Sequence, residues 1–204
     1  MRWIHNFTNQ KIPFYIYKLN HKDSLIYTNN NQLNQTIIIL HGILLILKVF
    51  TNGEILSVAI LRENNIINIK KDTKEVKHYY YKAIALEETW LISIKSNYLY
   101  LLSPIMTKNV IKSYYNTLHQ YELMNQILVH KEAKYRMIQL IVYLSEQFGY
   151  RYNNYIYIRF NISQSILSLI IGANKITINK IIKILKQNMA IKVSKNKIIY
   201  INKK

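Results

Sequence analysis

Cysteine is absent from the 204 residues of this chain. Without thiols the chain cannot form disulfide bonds, use a cysteine nucleophile, or hold zinc or an iron–sulfur cluster through thiolates. Hydrophobic residues make up 50% of the sequence. That content is enough for one large core or two small ones, so the chain is not a disordered tail.

Acidic residues are absent after Glu146, although the chain has ten of them in all. The 28 Lys and Arg residues give a formal net charge of +18, and residues 147–204 carry eleven of these cations unopposed. A strongly basic chain predicts a polyanionic partner, either nucleic acid or an anionic membrane. A merely solvated lysine face is the plainer alternative. The uneven distribution places the electrostatic footprint in the C-terminal part.

Long apolar runs are also lacking. The longest, "TIIILHGILLILKVF", is interrupted by His41, Gly42 and Lys48, and it is shorter than the about twenty residues that span a bilayer. We therefore expect no transmembrane segment and no membrane partner. The N-terminus has neither the apolar core of a secretory signal nor the pattern of an import peptide, so the protein is expected to work where it is made.

Ile, Asn, Lys and Tyr together make up roughly half of the chain, far above ordinary usage. All four have A/T-rich codons, which indicates the genome of an organelle, an endosymbiont or a low-GC bacterium. The same bias accounts for part of the lysine excess. The positions of the lysines are therefore better evidence of function than their number.

The first hundred residues are expected to form short β-strands. "TIIILHG" and "ILLILKVF" meet at His41-Gly42, and "ILSVAIL" follows after "TNGE", in which Asn52-Gly53 suits a type I′ hairpin turn. "YYYKAIAL" and "TWLISI" add two strands around an acidic turn. Regular short strands with tight turns predict a small barrel or sandwich over residues 1–104.

Residues 105–131 lack Gly and Pro and are expected to form one long helix. A semi-apolar stripe recurs along it at intervals of three and four residues. It consists of Val110, Tyr114, Thr117, Tyr121, Met124 and Leu128. Such a stripe packs either against its own domain or against a second subunit, and a helix this long makes a good dimer seam.

A second helix is predicted over about 132–147, with Gly149 following it as a C′ glycine. Its expected core residues are Met137, Leu140, Ile141, Leu144 and Phe148.

Residues 162–185, "ISQSILSLIIGANKITINKIIKIL", have the spacing of a helix-turn-helix motif. Ser163 is placed to cap the first helix, which begins at Gln164, and Ser168 is the small residue where the two helices approach. Gly172 can take the positive φ of the turn. Asn174 can cap the second helix.

The second helix would expose five residues at its N-terminal end: Lys175, Ile176, Thr177, Asn179 and Lys180. Side chains at this position enter the major groove in helix-turn-helix proteins, and the helix N-terminus favours phosphate. Ile176 would contact a thymine methyl group or pack internally, and both interpretations are open.

The tail "AIKVSKNKIIYINKK" reads as two alternating strands around a basic turn that holds Lys195 and Lys197. A two-stranded β-wing directly after the second helix makes it less credible that residues 162–185 match the helix-turn-helix spacing by chance. The expected fold class is α+β, with a β-barrel over 1–104, a long helix over 105–131 that is a candidate for dimerisation, and a winged helix-turn-helix domain over 132–204.

This order of elements resembles the Crp/Fnr family of dimeric transcription regulators, in particular its branch of cyanobacterial nitrogen regulators. The strings that carry the resemblance are "NGEILSVAILRENNI", "LVHKEAKYRMIQLIVYLSEQFG", "ISQSILSLIIGANKITINKIIKIL" and "IKVSKNKIIYI". The resemblance implies that the barrel is a cyclic-nucleotide-binding-like sensor domain and that the long helix is a dimerisation helix. It also implies a homodimer that binds palindromic double-stranded DNA with GTA and TAC half-sites near promoters, with RNA polymerase as a further partner. A plastid-encoded member, as carried by red algae, fits the composition. The chloroplast stroma is the expected location, or otherwise the cytoplasm of an A/T-rich bacterium.

The resemblance also identifies substitutions. Lys175 and Lys180 stand where the family's recognition helix has arginines. Lysine is a flexible point charge, whereas arginine reads guanine with a rigid two-pronged fork, so looser base specificity is expected.

In the nitrogen-regulator branch the effector is 2-oxoglutarate, and the positions that would hold it are changed here. Asn68 replaces a glycine, Tyr79 and Thr117 replace two arginines, and only the acid at Glu122 remains. Two carboxylates without guanidinium partners bind poorly in a partly buried site. Lys82, Lys77 or His78 would have to compensate, so lost or altered sensing is expected.

Two other classes of function are alternatives. A basic RNA-binding or ribosome-associated protein would use the abundant tyrosines for base stacking, with aromatics interleaved among basic positions on a sheet face. An enzyme is not expected. The six histidines show no paired metal spacing, no Gly-rich phosphate loop follows a strand, and the acids are scattered. No catalytic residues, metal or cofactor are therefore predicted.

Overall fold

The computed structural model describes residues 2–27, 34–69, 78–153, 155–158, 160–188, 191–193 and 199–202. The chain divides into two compact units, Met1–Glu122 and Leu123–Lys204. The division predicted from the sequence has boundaries at residues 104 and 131. It separates a barrel, a dimerisation helix and a DNA-binding domain, and it remains a prediction.

The first unit consists mainly of two antiparallel four-stranded sheets, with strand orders β1-β8-β3-β6 and β2-β7-β4-β5. The strands are β1 Tyr15–Leu19, β2 Ser24–Tyr27, β3 Gln35–His41, β4 Leu44–Phe50, β5 Ile55–Leu61, β6 Ile66–Ile69, β7 Tyr79–Ala85 and β8 Thr89–Lys95. The α-helix α1, Arg2–Asn9, precedes them. A 3₁₀ turn at Ser96–Leu101 leads into α2, Pro104–Leu128.

The five strands expected from the sequence lie at β3, β4, β5, β7 and β8, and the long helix is α2. Helix α1 and strands β1, β2 and β6 were not expected. Four of the five residues of β1 are exposed, so the strand lacks the half-buried alternation by which a strand is recognised.

The turn between β4 and β5 differs from the expected type I′. That turn needs positive φ at both central residues. Gly53 has φ +85°, but Asn52 is not among the described residues with positive φ. The Gly53 N–H donates to the Phe50 carbonyl at 3.0 Å, and the Phe50 N–H donates to the Glu54 carbonyl at 2.9 Å. These bonds close a three-residue loop, in which only the last position requires glycine.

Strand β3 separates two cores. Ile37 and Ile39 face the other sheet and pack in a cluster with Leu44, Ile46 and residues of β5 to β8. Ile38 points the opposite way, into a second cluster that lies under α1 and the start of α2. Burial on both faces explains why β3 is almost continuously apolar instead of alternating.

Helix α2 is attached to the first sheet by a buried hydroxyl. The Ile66 N–H donates to Thr117 Oγ1 at 2.9 Å, and the Thr117 hydroxyl donates to the Ser113 carbonyl at 2.8 Å. Met106 and Val110 pack in the second core, and Tyr121 packs against the first. The predicted stripe therefore packs, over this part of the helix, within its own unit.

The described part of the second unit contains the end of α2, three further helices and one sheet. The helices are α3 Ala133–Phe148, α4 Gln164–Ile171 and α5 Lys175–Gln187. The sheet has strand order β11-β12-β10-β9, with β9 Gly149–Tyr152, β10 Tyr155–Ile158, β11 Ile191–Val193 and β12 Ile199–Asn202.

Helix α3 lies where it was predicted, but two details differ. Phe148 is only half-buried, and its ring packs edge-on against Phe160 at a centroid distance of 5.3 Å. Gly149 has φ −79° and ψ 144°, so it is extended and not the left-handed C′ residue expected. A Cβ at this position would clash with the Ser145 carbonyl oxygen and with Ile156 Cγ2. Glycine is therefore needed here for close approach of the backbone.

Asparagine substitutions can distinguish a glycine needed for left-handed backbone from one needed for close approach, because asparagine tolerates left-handed backbone better than other non-glycine residues do. Gly149→Asn should lower the free energy of unfolding by about 1–3 kcal/mol, because the side chain is overpacked. The matched control, Gly172→Asn, has φ +66° and open space around it, so its cost should stay below about 1 kcal/mol. Urea denaturation of both variants measures the difference. Equal losses would contradict the assignment of Gly149.

Candidate nucleic-acid interface

Helices α4 and α5 form the predicted helix-turn-helix. The chain bends by 103° between them, within the range of such motifs. Gly172 ends α4 in the left-handed conformation, with φ 66° and ψ 43°. Its N–H donates to the Ser168 carbonyl at 2.9 Å, and the Ala173 N–H reaches the same oxygen at 3.2 Å. The turn glycine is thus confirmed in its conformation.

Both helices are capped as expected. The Ile166 N–H donates to Ser163 Oγ at 3.2 Å, and the Thr177 N–H donates to Asn174 Oδ1 at 2.8 Å. Gln164 follows Ser163 as the first, exposed residue of α4. Each cap satisfies one first-turn amide, and further amides at the same end stay available for an anionic ligand.

The buried face of α5 sets which residues are presented to solvent. Ile178, Ile181, Ile182 and Leu185 are buried at helical spacing. The five residues predicted to contact DNA lie outside this face. Lys175, Ile176 and Lys180 are exposed, and Thr177 and Asn179 are half-buried.

Ile176 is 68% exposed, so internal packing does not explain its presence on α5. This exposure favours the alternative of a contact with a thymine methyl group. The contact itself stays a prediction, as do the roles of the other residues.

The wing is present as the antiparallel pair β11–β12, in which Val193 pairs with Ile199. Lys195 and Lys197, predicted to hold phosphate, lie outside the described residues. Strands β9 and β10 extend this sheet and were not predicted. The signal for them was the alternation in "YRYNNYIYI", residues 150–158, around a central Asn-Asn turn.

The predicted effector residues are distributed over three elements. Asn68 lies on β6 in one sheet, Tyr79 and Lys82 lie on β7 in the other, and Glu122 lies on α2. Tyr79 is covered by the Lys48 ammonium, 3.8 Å above its ring. Glu122 is exposed and lies 3.6 Å from His119 Nδ1. Lys77 lies outside the described residues.

Asn68 and Thr117 offer little to a carboxylate. The Asn68 side-chain oxygen is buried and has no hydrogen-bond donor in the described part of the chain. Thr117 already uses its hydroxyl to hold α2 against β6. Neither side chain carries a positive charge that could pair with a carboxylate.

The space between the two sheets near α2 is occupied by tyrosines. The rings of Tyr27 and Tyr81 stack at 5.3 Å, and Tyr121 packs against the same cluster. Burial raises the pKa of Tyr27 well above its ordinary value, with smaller contributions from Tyr121 and Tyr81. Burial likewise raises the pKa of Tyr121. These hydroxyls stay neutral at physiological pH and cannot replace guanidinium groups.

A cavity of about 780 Å³ lies on the outer side of the first sheet, between α1 and α2. Trp3, Leu40 and Trp90 supply apolar walls, and Arg2 and Lys112 supply charge. None of the four predicted effector residues lines it. The candidate effector site and this cavity are therefore different places.

Within the described residues, no group of three or more His, Asp or Glu side chains could hold a metal ion. In the same residues, no single helix is long and apolar enough to cross a membrane.

The fold is that of the Crp/Fnr type of transcription regulator. A CRP-family transcriptional regulator from Thermus thermophilus superposes with a TM-score of 0.72 at 12% identity, covering 91% of each chain. No protein-family model matches the sequence.

Two relatives with similar sequences indicate which transcription regulators this chain resembles. The chain is 27% identical to ycf28 of Porphyra purpurea, described as an HTH-type transcriptional regulator, over 97% of this chain and 82% of the relative. It is 21% identical to the global nitrogen regulator of Synechococcus elongatus, over 94% of this chain and 88% of the relative. The predicted resemblance to Crp/Fnr regulators and their nitrogen-regulator branch is confirmed. All three proteins are regulators of transcription, which supports the prediction that this chain is not an enzyme.

The cap at Asn174 allows helix stability and DNA affinity to be separated. Asn174→Ala should lower the free energy of unfolding by about 1 kcal/mol, because an amide of α5 loses its acceptor. Asn174→Asp keeps an acceptor and favours the helix dipole, so stability should not fall, but its negative charge should weaken duplex DNA binding several-fold. Thermal unfolding and fluorescence anisotropy measure the two effects.

The matched control is Asn188→Asp, which adds the same charge about 20 Å away at the other end of α5. It should weaken duplex binding less than Asn174→Asp does. An equal loss in both variants would mean that only bulk charge matters, and that the N-terminal end of α5 does not face DNA.

Proposed function

We propose that this chain regulates transcription by binding palindromic promoter DNA sequence-specifically as a homodimer, with RNA polymerase as a further partner. The observation that carries the proposal is the exposed, cationic N-terminal end of α5, its first two turns, in a capped helix-turn-helix. Lys175 and Lys180 lie there, and no acidic residue follows Glu146 in the sequence. A surface of this geometry and charge suits the major groove.

The side chains at the N-terminal end of α5 match the chemistry of base edges. A lysine donates to guanine O6 and N7, an asparagine such as Asn179 can bond adenine N6 and N7, and Thr177 can bond either type of base. Ile176 would lose exposed apolar surface against a thymine methyl group. Because lysine lacks a planar fork, we expect guanine to be read less strictly than by arginine.

The first helix would position the motif on the backbone. In helix-turn-helix proteins that helix crosses the sugar–phosphate chain, which places Ser163 and Gln164 near phosphates. Lys195 and Lys197, predicted from the sequence to hold phosphate, would add further backbone contacts. These contacts fix register and contribute affinity without reading sequence.

A second copy of the chain is proposed to cover an exposed stripe of α2. Ile111, Tyr115 and Leu118 are 62%, 72% and 59% exposed, and Glu122 continues the stripe. Their spacing of four, three and four residues is that of a coiled-coil seam. The face of α2 that carries Val110 and Thr117 is already buried, so the helix can serve its own unit and a partner together.

A role linked to nitrogen supply, with weakened or altered effector sensing, follows from the relatives and the substitutions together. The cyanobacterial relatives are global nitrogen regulators, whereas Tyr79 and Thr117 stand here in place of guanidinium groups. A plastid location is part of the same proposal. It is supported by the A/T-biased composition and by the relative in Porphyra purpurea.

The proposal predicts that Lys175 reads a base. Lys175→Ala should cost about 1–3 kcal/mol on a palindromic duplex with GTA and TAC half-sites, and much less on a scrambled duplex. Titrations of the full chain by fluorescence anisotropy at two salt concentrations measure both. A duplex with a single half-site should bind the unmodified protein more weakly, because a two-fold dimer contacts two half-sites about one helical turn apart.

Lys186→Ala is the matched control, since this exposed lysine is on the same helix, about 16 Å further along. It should weaken both duplexes equally, if at all. Equal losses for Lys175→Ala on both duplexes would make Lys175 a phosphate anchor. A salt slope near zero for the duplex, or equal affinity for the palindromic and the scrambled duplex, would refute sequence-specific duplex binding as the function.

We expect 2-oxoglutarate to have only a weak effect on DNA binding. Millimolar 2-oxoglutarate should change the affinity for the palindromic duplex by less than the roughly 5-fold that marks ordinary allosteric coupling. The reason is that Tyr79, Thr117 and Asn68 provide no charge to pair with its carboxylates. Titration calorimetry checks binding directly. Saturable micromolar binding that disappears in Lys82→Ala would contradict the expectation and identify Lys82 as the substitute partner.

A further inference from the structure

Strands β9 and β10 place four tyrosines on one face of the sheet in the second unit. Tyr150 pairs with Tyr157 across the strands, and Tyr152 pairs with Tyr155. Side chains alternate along a strand, so Ile156 and Ile158 point to the opposite face, where Ile158 is 1% exposed. We call Tyr150, Tyr152, Tyr155 and Tyr157 the tyrosine face.

The rings of the tyrosine face form one continuous cluster. Tyr150 and Tyr157 stack with centroids 5.2 Å apart and an interplanar angle of 25°. Tyr152 and Tyr155 meet Tyr157 edge-on, at 6.1 Å and 6.3 Å. Cross-strand pairs of this kind stabilise a sheet by about 0.2–1 kcal/mol each, which accounts for part of the arrangement.

Ring packing does not account for the exposure. Tyr152 is 62% exposed and Tyr150 is 38% exposed. Burying the exposed ring surface of Tyr150 and Tyr152 would stabilise the hairpin more than leaving that surface in contact with water does. The exposed rings therefore offer π surface to something outside the chain.

A cation lies beside the rings. Lys192 on β11 holds its ammonium 4.9 Å from the centre of the Tyr155 ring and 3.2 Å from the Tyr155 hydroxyl. The register of the sheet puts Lys192 in the same cross-strand row as Tyr200, Tyr157 and Tyr150. With neighbouring strands about 4.8 Å apart, this row runs across all four strands.

The charge of the surrounding segment decides the kind of partner. Residues 147–204 contain no acid and eleven cations, so a basic protein surface would be repelled and a polyanion attracted. Among polyanions, a duplex keeps the faces of its bases stacked inside. Aromatic rings gain stacking only from unpaired bases, and a four-stranded antiparallel sheet with aromatics on neighbouring strands is one way in which proteins bind them.

We infer that the tyrosine face, with Lys192, binds single-stranded nucleic acid by stacking its bases. The tyrosine face is separate from the exposed N-terminal end of α5, because it lies on the sheet and not on the helix-turn-helix. A chain with both surfaces can hold a duplex site with one and an unpaired segment of the same or another strand with the other.

The test uses the full chain and a fluorescent oligothymidine of about 20 nucleotides, longer than the site sizes of known single-strand binders. Tyr152→Ala should weaken binding on the order of tenfold, as expected for the loss of one stacked base. Tyr152→Phe keeps the ring and should bind within about twofold of the unmodified protein. The affinity for the palindromic duplex should stay within about twofold in both variants.

Tyr100→Ala is the matched control, since this tyrosine is 91% exposed but lies in the first unit. It should leave single-strand binding unchanged. Lys175→Ala should weaken duplex binding without affecting the oligothymidine. An oligouridine of equal length, titrated in parallel, identifies whether the face prefers DNA or RNA, and loss of either interaction in Tyr152→Ala supports the inference.

Three outcomes would overturn it. Tyr152→Ala could leave single-strand affinity within twofold. Tyr152→Phe could lose as much as Tyr152→Ala, which would mean that no stacking is involved. Tyr152→Ala could weaken duplex and single strand in parallel, which would make the face a support for the duplex site. Circular dichroism melting of each variant shows whether the fold is intact, and Tyr155→Ala provides an independent second substitution on the same face.

Discussion

The packing of two short apolar helices across one left-handed residue determines which side chains of the helix-turn-helix face solvent. Ile170 and Ile171 of α4 and Ile178 and Ile182 of α5 are buried, and each such side chain contributes about 1.5–3 kcal/mol. The cap at Asn174 contributes only about 1 kcal/mol. Apolar packing therefore fixes the angle between the helices, and the caps adjust their ends. Because the isoleucines occupy the inner face, the lysines are left on the outer one.

The parts of the fold with strong periodicity could be predicted from the sequence. The helix-turn-helix, α3, the long helix and five strands of the first unit follow from apolar spacing, glycine and capping residues. The rest depends on tertiary contacts. Strand β1 is mostly exposed, Gly149 is required by the proximity of Ser145 and Ile156, and the β4–β5 turn depends on the φ of Asn52. For the candidate site, the exposure of Ile176 depends on which face of α5 packs inward, and the shared face of the four tyrosines depends on the register of β9 and β10.

The first unit combines a conventional framework with an altered interior. Strand β3 is buried on both faces and separates a core between the sheets from a core under α1 and α2. The core between the sheets contains Tyr27, with Tyr81 and Tyr121 packed against it, and the rings of Tyr27 and Tyr81 stack. Because Tyr121 belongs to α2, this aromatic packing helps to fix the helix against the sheets.

The segment 147–204 has a further property that follows from its missing acids. It also contains no histidine, since the last histidine in the chain is His130. Its charged side chains are therefore all lysine or arginine. Because dissolved salt screens such charges, a change in ionic strength would act directly on the attraction between this segment and a polyanion.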